Sequence, residues 1–284
     1  MSGRESDVAA RIGTVRSLSS VISAMQGIAA ARSREAQACL AGIRSYAATV
    51  GTGIGEALAL LPEVAEGPPP HGGRHMVVAL CAEQGFAGTF SERVLDAAEA
   101  VLRAPGPPAD LWVIGDRGVM AAAVRGTAVL RHDPMISHPM EAALLAGRIA
   151  DALWQGAAAG RLLRLSLVHA VPDPRAGLRL ATRRLVPFDF TRFPRASGRP
   201  MITLPPRMLL DALVQEYVFA ELCEAITLSF AAESEARMRA MLAARTNVAD
   251  TLEELVATSR RLRQEEITSE IVELAAGALA HRGR

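Results

Sequence analysis

RRLRQEEITSEIVELAAG (260–277) decides how this chain is read. The stretch is dense in charge, yet Leu262, Ile267, Ile271 and Leu274 recur at helical intervals, the mark of an amphipathic helix. Upstream, Met238, Met241, Arg245, Val248, Leu252, Leu255, Ser259 and Leu262 alternate steps of three and four. Past Leu262 the apolar register slips, as a stutter would make it slip. From Pro205 to about Ala280 the pattern runs without a proline break. At 1.5 Å per residue that predicts a helix about 110 Å long. A small domain cannot cover such a helix. It needs a partner.

The other end of the chain supplies one. Residues 5–60 carry Ile12, Val15, Leu18, Ile22, Met25 and Ala29 at three- and four-residue steps, with Ser6 or Asp7 as caps. No proline interrupts before Pro62, and Pro68–Pro70 with Gly72 and Gly73 punctuate a linker. This helix would be roughly 80 Å long. Two long helices from opposite ends of one chain pair most simply as an antiparallel coiled coil.

Between them the pattern changes. HMVVALCA (75–82), DLWVIGD (110–116), TAVLRH (127–132), RLSLVHA (164–170) and GLRLATRRLVP (177–187) read as strands. Helical segments fall at about 88–103, 116–124 and 139–158, and PRASGRP (194–200) reads as a loop. Alternating strand and helix implies a mainly parallel sheet. The fold class is therefore mixed α and β: a coiled coil of the terminal helices plus a small central α/β domain. The segments are 1–62, 73–194 and 205–284.

Composition narrows the function. Of 284 residues half are hydrophobic but only 4% aromatic, and 31 basic residues against 30 acidic ones give a net charge of +1. That balance argues against a nucleic-acid partner. All 31 basic residues are Arg, whose planar fork suits carboxylate partners. Cys39, Cys81 and Cys223 are scattered, which suits a reducing compartment and neither a disulfide framework nor zinc. No apolar run approaches the ~18–20 residues of a membrane span, and MSGRESDVAAR (1–11) lacks a signal-peptide apolar region.

Motifs for chemistry are weak. AEQGFAG (82–88) follows a strand and opens a helix, but it matches neither phosphate-loop signature and the chain has no Lys. A tight turn using Gly85 and Gly88 is the better reading. His132 and His138 lie close in sequence without a Cys or acidic pair to complete a metal site. Cys81 has no nearby His in sequence, and no GxSxG elbow occurs. By pattern alone Met25 is core, and Arg263 with Gln264 is a solvated face.

A family resemblance alters that weighing. RIGTVRSLSSVISAMQGIAAARSREAQ (11–37), ESEARMRAMLAARTNVADTLEEL (233–255) and RQEEITSEIVELAAGA (263–278) resemble, in order, the conserved ends of the rotary ATP synthase gamma family. CAEQGFAGTFS (81–91) stands where that family has a glycine-rich turn, and LPPRMLLDALVQEYV (204–218) resembles the opening of its last helix. The likeness covers essentially the whole chain, and the RQ..IT.E motif is its most specific part. Ser23, Gln26, Gly27 and Glu83–Gln84 depart from the family pattern, which suggests a divergent branch of the alternative-operon, sodium-type kind.

The resemblance implies a rotor shaft, the central stalk of an F-type synthase. The paired helices would turn inside a ring of three alpha and three beta subunits, with LAAGALA (274–280) as a weakly polar tip. The α/β domain would grip the epsilon subunit and the membrane c-ring. Rotation would couple ion transport, of hydrogen ions or sodium, to ATP synthesis or hydrolysis. The complex would lie on the cytoplasmic face of the bacterial inner (plasma) membrane. Catalysis would lie on the beta subunits, with no cofactor, metal or small-molecule ligand on this chain. By position, Arg263 and Gln264, with Thr268 and Glu270, would meet the beta subunit's acidic catch loop. Met25, Arg32 and Arg34 would face its acidic lever region. Two rivals remain: a nucleotide-dependent transferase with helical arms, and a non-catalytic cytosolic coiled-coil scaffold or adaptor.

Overall fold

A computed structural model describes residues 2–61, 73–197 and 200–282. The expected linker at Pro68–Pro70 and Gly72 lies outside the described residues, as do Gly198 and Arg199 of the expected loop and the side chains of LAAGALA from residue 276 on. The chain forms two compact units, Met1–Ile28 with Met238–Arg284, and Ala29–Arg237. Helix α1 (Ser2–Ala59) and helix α5 (Pro206–Arg282) contribute to both.

The second unit is built on a five-stranded sheet. Its strands are β1 (Arg74–Leu80), β2 (Ala109–Ile114), β3 (Arg131–Asp133), β4 (Leu162–Asp173) and β5 (Gly177–Val186), in the order β3-β2-β1-β4-β5. The first three pairings are parallel and only β4–β5 is antiparallel, so the expected mainly parallel sheet is what forms. The crossovers are α2 (Phe90–Arg103), α3 (Asp116–Arg125) and α4 (Ala142–Ala158). The β4–β5 hairpin closes at Asp173, whose carboxylate accepts from the Arg175 and Ala176 amides at 2.8 Å, and Gly177 takes a φ of 80° there.

Both sheet faces are buried, each against its own core. One face packs Val78, Leu80, Trp112 and Leu167 against α4 and against the α1 and α5 segments of this unit, through Leu145, Ile149, Ile54 and Ile226. The other packs Val77, Ala79, Val113 and Val168 under α2 and α3, with Ala232 and Ala236 of α5. Near-continuous apolar strands are what a sheet covered on both sides requires.

One strand is shorter than the sequence suggests. TAVLRH (127–132) reads as a strand from residue 127, but β3 begins at Arg131. The reason is the end of α3: Gly126 adopts a left-handed φ of 68°, and the Thr127 amide donates back to the Ala122 carbonyl at 3.0 Å. That cap uses the residues the strand would have needed.

Within the second unit α1 and α5 run antiparallel. Gln37 donates to Glu235 at 3.0 Å, Arg44 to Glu224 at 2.8 Å and Tyr46 to Glu216 at 2.6 Å, so partners rise along α1 as they fall along α5. On α1 the inward positions are Ala29, Ser33, Ala36, Leu40, Ile43, Ala47, Val50, Ile54 and Ala57. Those steps alternate four and three, the 3.5-residue period of a left-handed coiled coil.

The first unit is the same arrangement without a sheet. Its α1 seam runs through Val8, Ile12, Val15, Ser19 and Ile22, and its α5 seam through Met241, Val248, Leu252, Leu255, Ser259 and Leu262. Two positions expected on the seam are corrected. Leu18 is 48% exposed and Arg245 is exposed. A strict seven-residue repeat puts Ser19 inward and turns Leu18 out. The apolar slip after Leu262 is not a slip in packing either. Glu266 and Ser269 hold the half-buried positions, while Ile267, Ile271 and Leu274 are exposed.

Candidate functional site

The first unit carries most of the residues singled out from sequence. Arg263 reaches across the helix pair, its Nε donating to Glu5 Oε1 at 3.0 Å. This contact joins α1 to α5 in the antiparallel sense. Glu266 lies beside it and acts on the same carboxyl. A hydrogen bond from Glu266, and then Arg263, hold the Glu5 carboxyl below its ordinary range. Glu5 in turn pushes the Glu266 carboxyl up.

Gln264, Thr268 and Glu270 are exposed along the same stretch of α5, and the Thr268 hydroxyl donates to the Gln264 carbonyl at 2.7 Å. These three lie with Arg263. Met25 does not: it is half-buried on α1, twenty residues from Glu5, or about 30 Å along a helix. Around these positions the unit exposes large apolar side chains, Leu18, Val21 and Ile28 on α1 and Ile267, Ile271 and Val272 on α5. They fall in two groups, residues 18–28 of α1 and residues 267–272 of α5, set apart along the helix pair by its antiparallel register.

Arg32 and Arg34 belong to the second unit. Arg34 is exposed, with Nε donating to the Ala30 carbonyl at 3.3 Å. Arg32 is half-buried near an ion pair that the sequence reading missed, Glu233 with Arg237. These two side chains are only 5% and 7% exposed. Burial pushes the Glu233 carboxyl up, and Arg237 pulls it back, with Arg32 contributing. The Arg237 guanidinium also donates to the Gly85 and Gln84 carbonyls at 3.1 Å each, so α5 holds the glycine-rich turn at 82–88. The four-residue spacing of Glu233 and Arg237 was visible; their burial was not.

That turn is secured from its other side by Glu83, one of the departures from the family pattern. Its carboxylate accepts from the Met135 amide at 2.7 Å and the Asp116 amide at 3.4 Å. The N-terminus of α3 thus receives a carboxylate of this chain, where a phosphate loop would present it to a ligand. Gly118 permits the close approach: a Cβ there would stand 2.4 Å from that of Cys81. At the tip Phe86 is 68% exposed with a φ of 64°, a backbone region that costs a bulky residue strain. Cys81 itself is fully buried, and burial pushes its thiol far above the ordinary range, which leaves no thiolate for nucleophilic chemistry.

Among the described residues no group of three His, Cys, Asp or Glu side chains could hold a metal, and no helix is long and apolar enough to cross a membrane. The arrangement offers surfaces for partners.

Comparison with known proteins points the same way. A family model described as ATP synthase matches residues 5–280. The chain is 31% identical to the ATP synthase gamma chain of Frankia casuarinae, over 99% of this chain and 98% of that one. It is 28% identical to that of Moorella thermoacetica, over 96% and 97%. Among solved structures, the rotor of the Euglena gracilis mitochondrial ATP synthase shares the fold with a TM-score of 0.61 at 12% identity, covering 94% of this chain and all of that one.

Proposed function

Because this chain belongs to the ATP synthase gamma family, we propose that it is the central-stalk rotor of an F-type synthase, coupling ion flow through a membrane c-ring to ATP synthesis or hydrolysis on an alpha-three beta-three head. The observation that carries this reading is the first unit: a two-helix seam of 3.5-residue period whose outward faces keep Leu18, Val21, Ile28, Ile267 and Ile271 exposed. A shaft must be stiff, and paired helices supply stiffness. Its surface must also differ on every side, so that three identical catalytic partners are biased differently at each angle. Two unlike helices meet that demand. Solved relatives are described as an F1 and c-ring assembly and as a rotor, which supports the same partners here. An epsilon subunit and the cytoplasmic face of the bacterial plasma membrane complete the proposal.

The contact residues follow. Arg263 spends Nε on Glu5, which leaves the other N–H donors of its fork for an acidic loop of the beta subunit. Gln264, Thr268 and Glu270 stand beside it. Met25, Arg32 and Arg34 are proposed to face the beta subunit's acidic lever.

Reconstitution tests the reading. Mixed with alpha and beta subunits, this chain should co-elute on size exclusion as one copy per alpha-three beta-three assembly; separate elution overturns the rotor and favours the scaffold. In that assembly, Arg263→Ala with Gln264→Ala should impair ATP turnover while leaving assembly intact. Undiminished turnover removes these two residues from the coupling contact.

A further inference from the structure

The α2 face of the sheet carries a polar groove. β1, β4 and β5 lie side by side there and aim His75, Arg164, Ser166, Thr182 and Arg184 to one face. The β4–β5 register runs unbroken from the hairpin to the Ser166–Arg184 pair, which keeps Thr182 and Arg184 on this face, and shifts only beyond it. With Val101, Ala100 and Ala97 of α2 they line a groove of about 440 Å³. At its floor, His75 Nε2 and Ser166 Oγ are 2.9 Å apart, and both residues are 5% exposed.

The charge here is unbalanced. On the opposite face Arg74 has Asp110, and Arg183 has Glu224 at 2.9 Å. Among the described residues, Arg164 and Arg184 have neither an ion pair nor a hydrogen bond, and no acidic side chain lines the groove. Asp189 feels Arg184 only at a distance, since its own hydrogen bonds go to Thr191. Burial, then Arg164, lower the His75 imidazole's affinity for a proton, so this floor does not supply a further cation but does face a positive field.

We propose that this groove binds a small organic phosphate, its phosphoryl group held by Arg164, Arg184 and the Thr182 hydroxyl, and its apolar body laid along Val101 and Ala100. A single guanidinium fork satisfies a carboxylate. Two forks and a hydroxyl, drawn from β4 and β5, instead match the three terminal oxygens and near-double charge of a phosphomonoester. The apolar wall of α2 then selects an organic ester over inorganic phosphate. The sequence reading anticipated no small-molecule ligand, because the groove draws its lining from four separate elements.

The test uses the full chain alone, with phenyl phosphate, inorganic phosphate and benzyl alcohol, read by calorimetry and by the His75 ring signals in NMR. Phenyl phosphate should bind one to one, more tightly than inorganic phosphate, and benzyl alcohol should not saturate. Arg164→Gln and Arg184→Gln should each weaken it about tenfold or more, the loss of a charged hydrogen bond. Neither variant should lower the unfolding temperature, because neither guanidinium supports the fold. Ala100→Phe should block the ester while leaving the arginines in place. Absence of saturable binding, or Gln variants that bind as the parent does, overturns the proposal.

Discussion

The two units use the same pair of helices and bury them very differently. In the second unit α1 and α5 meet a sheet, and Ala36, Ile54, Ala57, Val218, Ile226 and Ala231 are all within 0–3% exposure. In the first unit the described hydrophobics below a tenth exposed are Ile22 and Met241, at 6% and 4%. A two-helix seam can hide only one stripe of each helix, so every other face is left to solvent or to a partner. One unit is therefore a folded core in its own right, and the other is a surface awaiting occupants.

The sharpest way to break that contrast is to attack the deep unit. Glu233→Gln leaves the Arg237 guanidinium buried without its carboxylate, and should cost about 3–5 kcal/mol in denaturant unfolding. Leu145→Ala, at a fully buried position, should cost about 2–5 kcal/mol in the same transition.

A pH scan sharpens the comparison next. His169 is wholly buried, with Nε2 unpartnered, and burial lowers its pKa to about 4, with Arg183 adding to the shift. The unfolded chain takes up that proton first, near its ordinary pKa of about 6.5. Stability of the second unit is therefore complete above pH ~6.5 and declines as the pH falls toward ~4, by up to about 3 kcal/mol. His169→Leu should remove that slope, which thermal unfolding across the range would read.

The first unit should respond more gently. Ile22→Ala should cost about 2 kcal/mol, the low end for such a truncation, because solvent can reach the gap. Leu18→Ser should change the stability of the isolated chain by less than about 0.5 kcal/mol. If Leu18→Ser instead matched Ile22→Ala, the assigned seam would be wrong. In the assembled complex Leu18→Ser gains importance only where a partner covers that face.

Much of this was legible along the chain. Both long helices and the alternating strands and helices follow from residue spacing and the placement of proline, which act locally. The misreadings share a cause. Leu18 and Ile267 are apolar and correctly spaced for a helix, yet the seam prefers Ser19 and Glu266. Hydrophobicity ranks residues; a 3.5-residue supercoil ranks positions. The proposed contact residues were reached by resemblance, and nothing in their spacing separates Arg263 from its exposed neighbours.

The sequence by itself determined the elements: two helices too long for a small domain, five strands, and an end rich in forked cations, because periodicity and backbone restriction are properties of adjacent residues. Only the tertiary structure decided which charges meet. Glu5 found Arg263 across 258 positions, and Arg237 found the Gln84 and Gly85 carbonyls across some 150. Arg164 and Arg184, from neighbouring strands, were left without a carboxylate. Such pairings depend on register and burial, which form only when distant segments pack together.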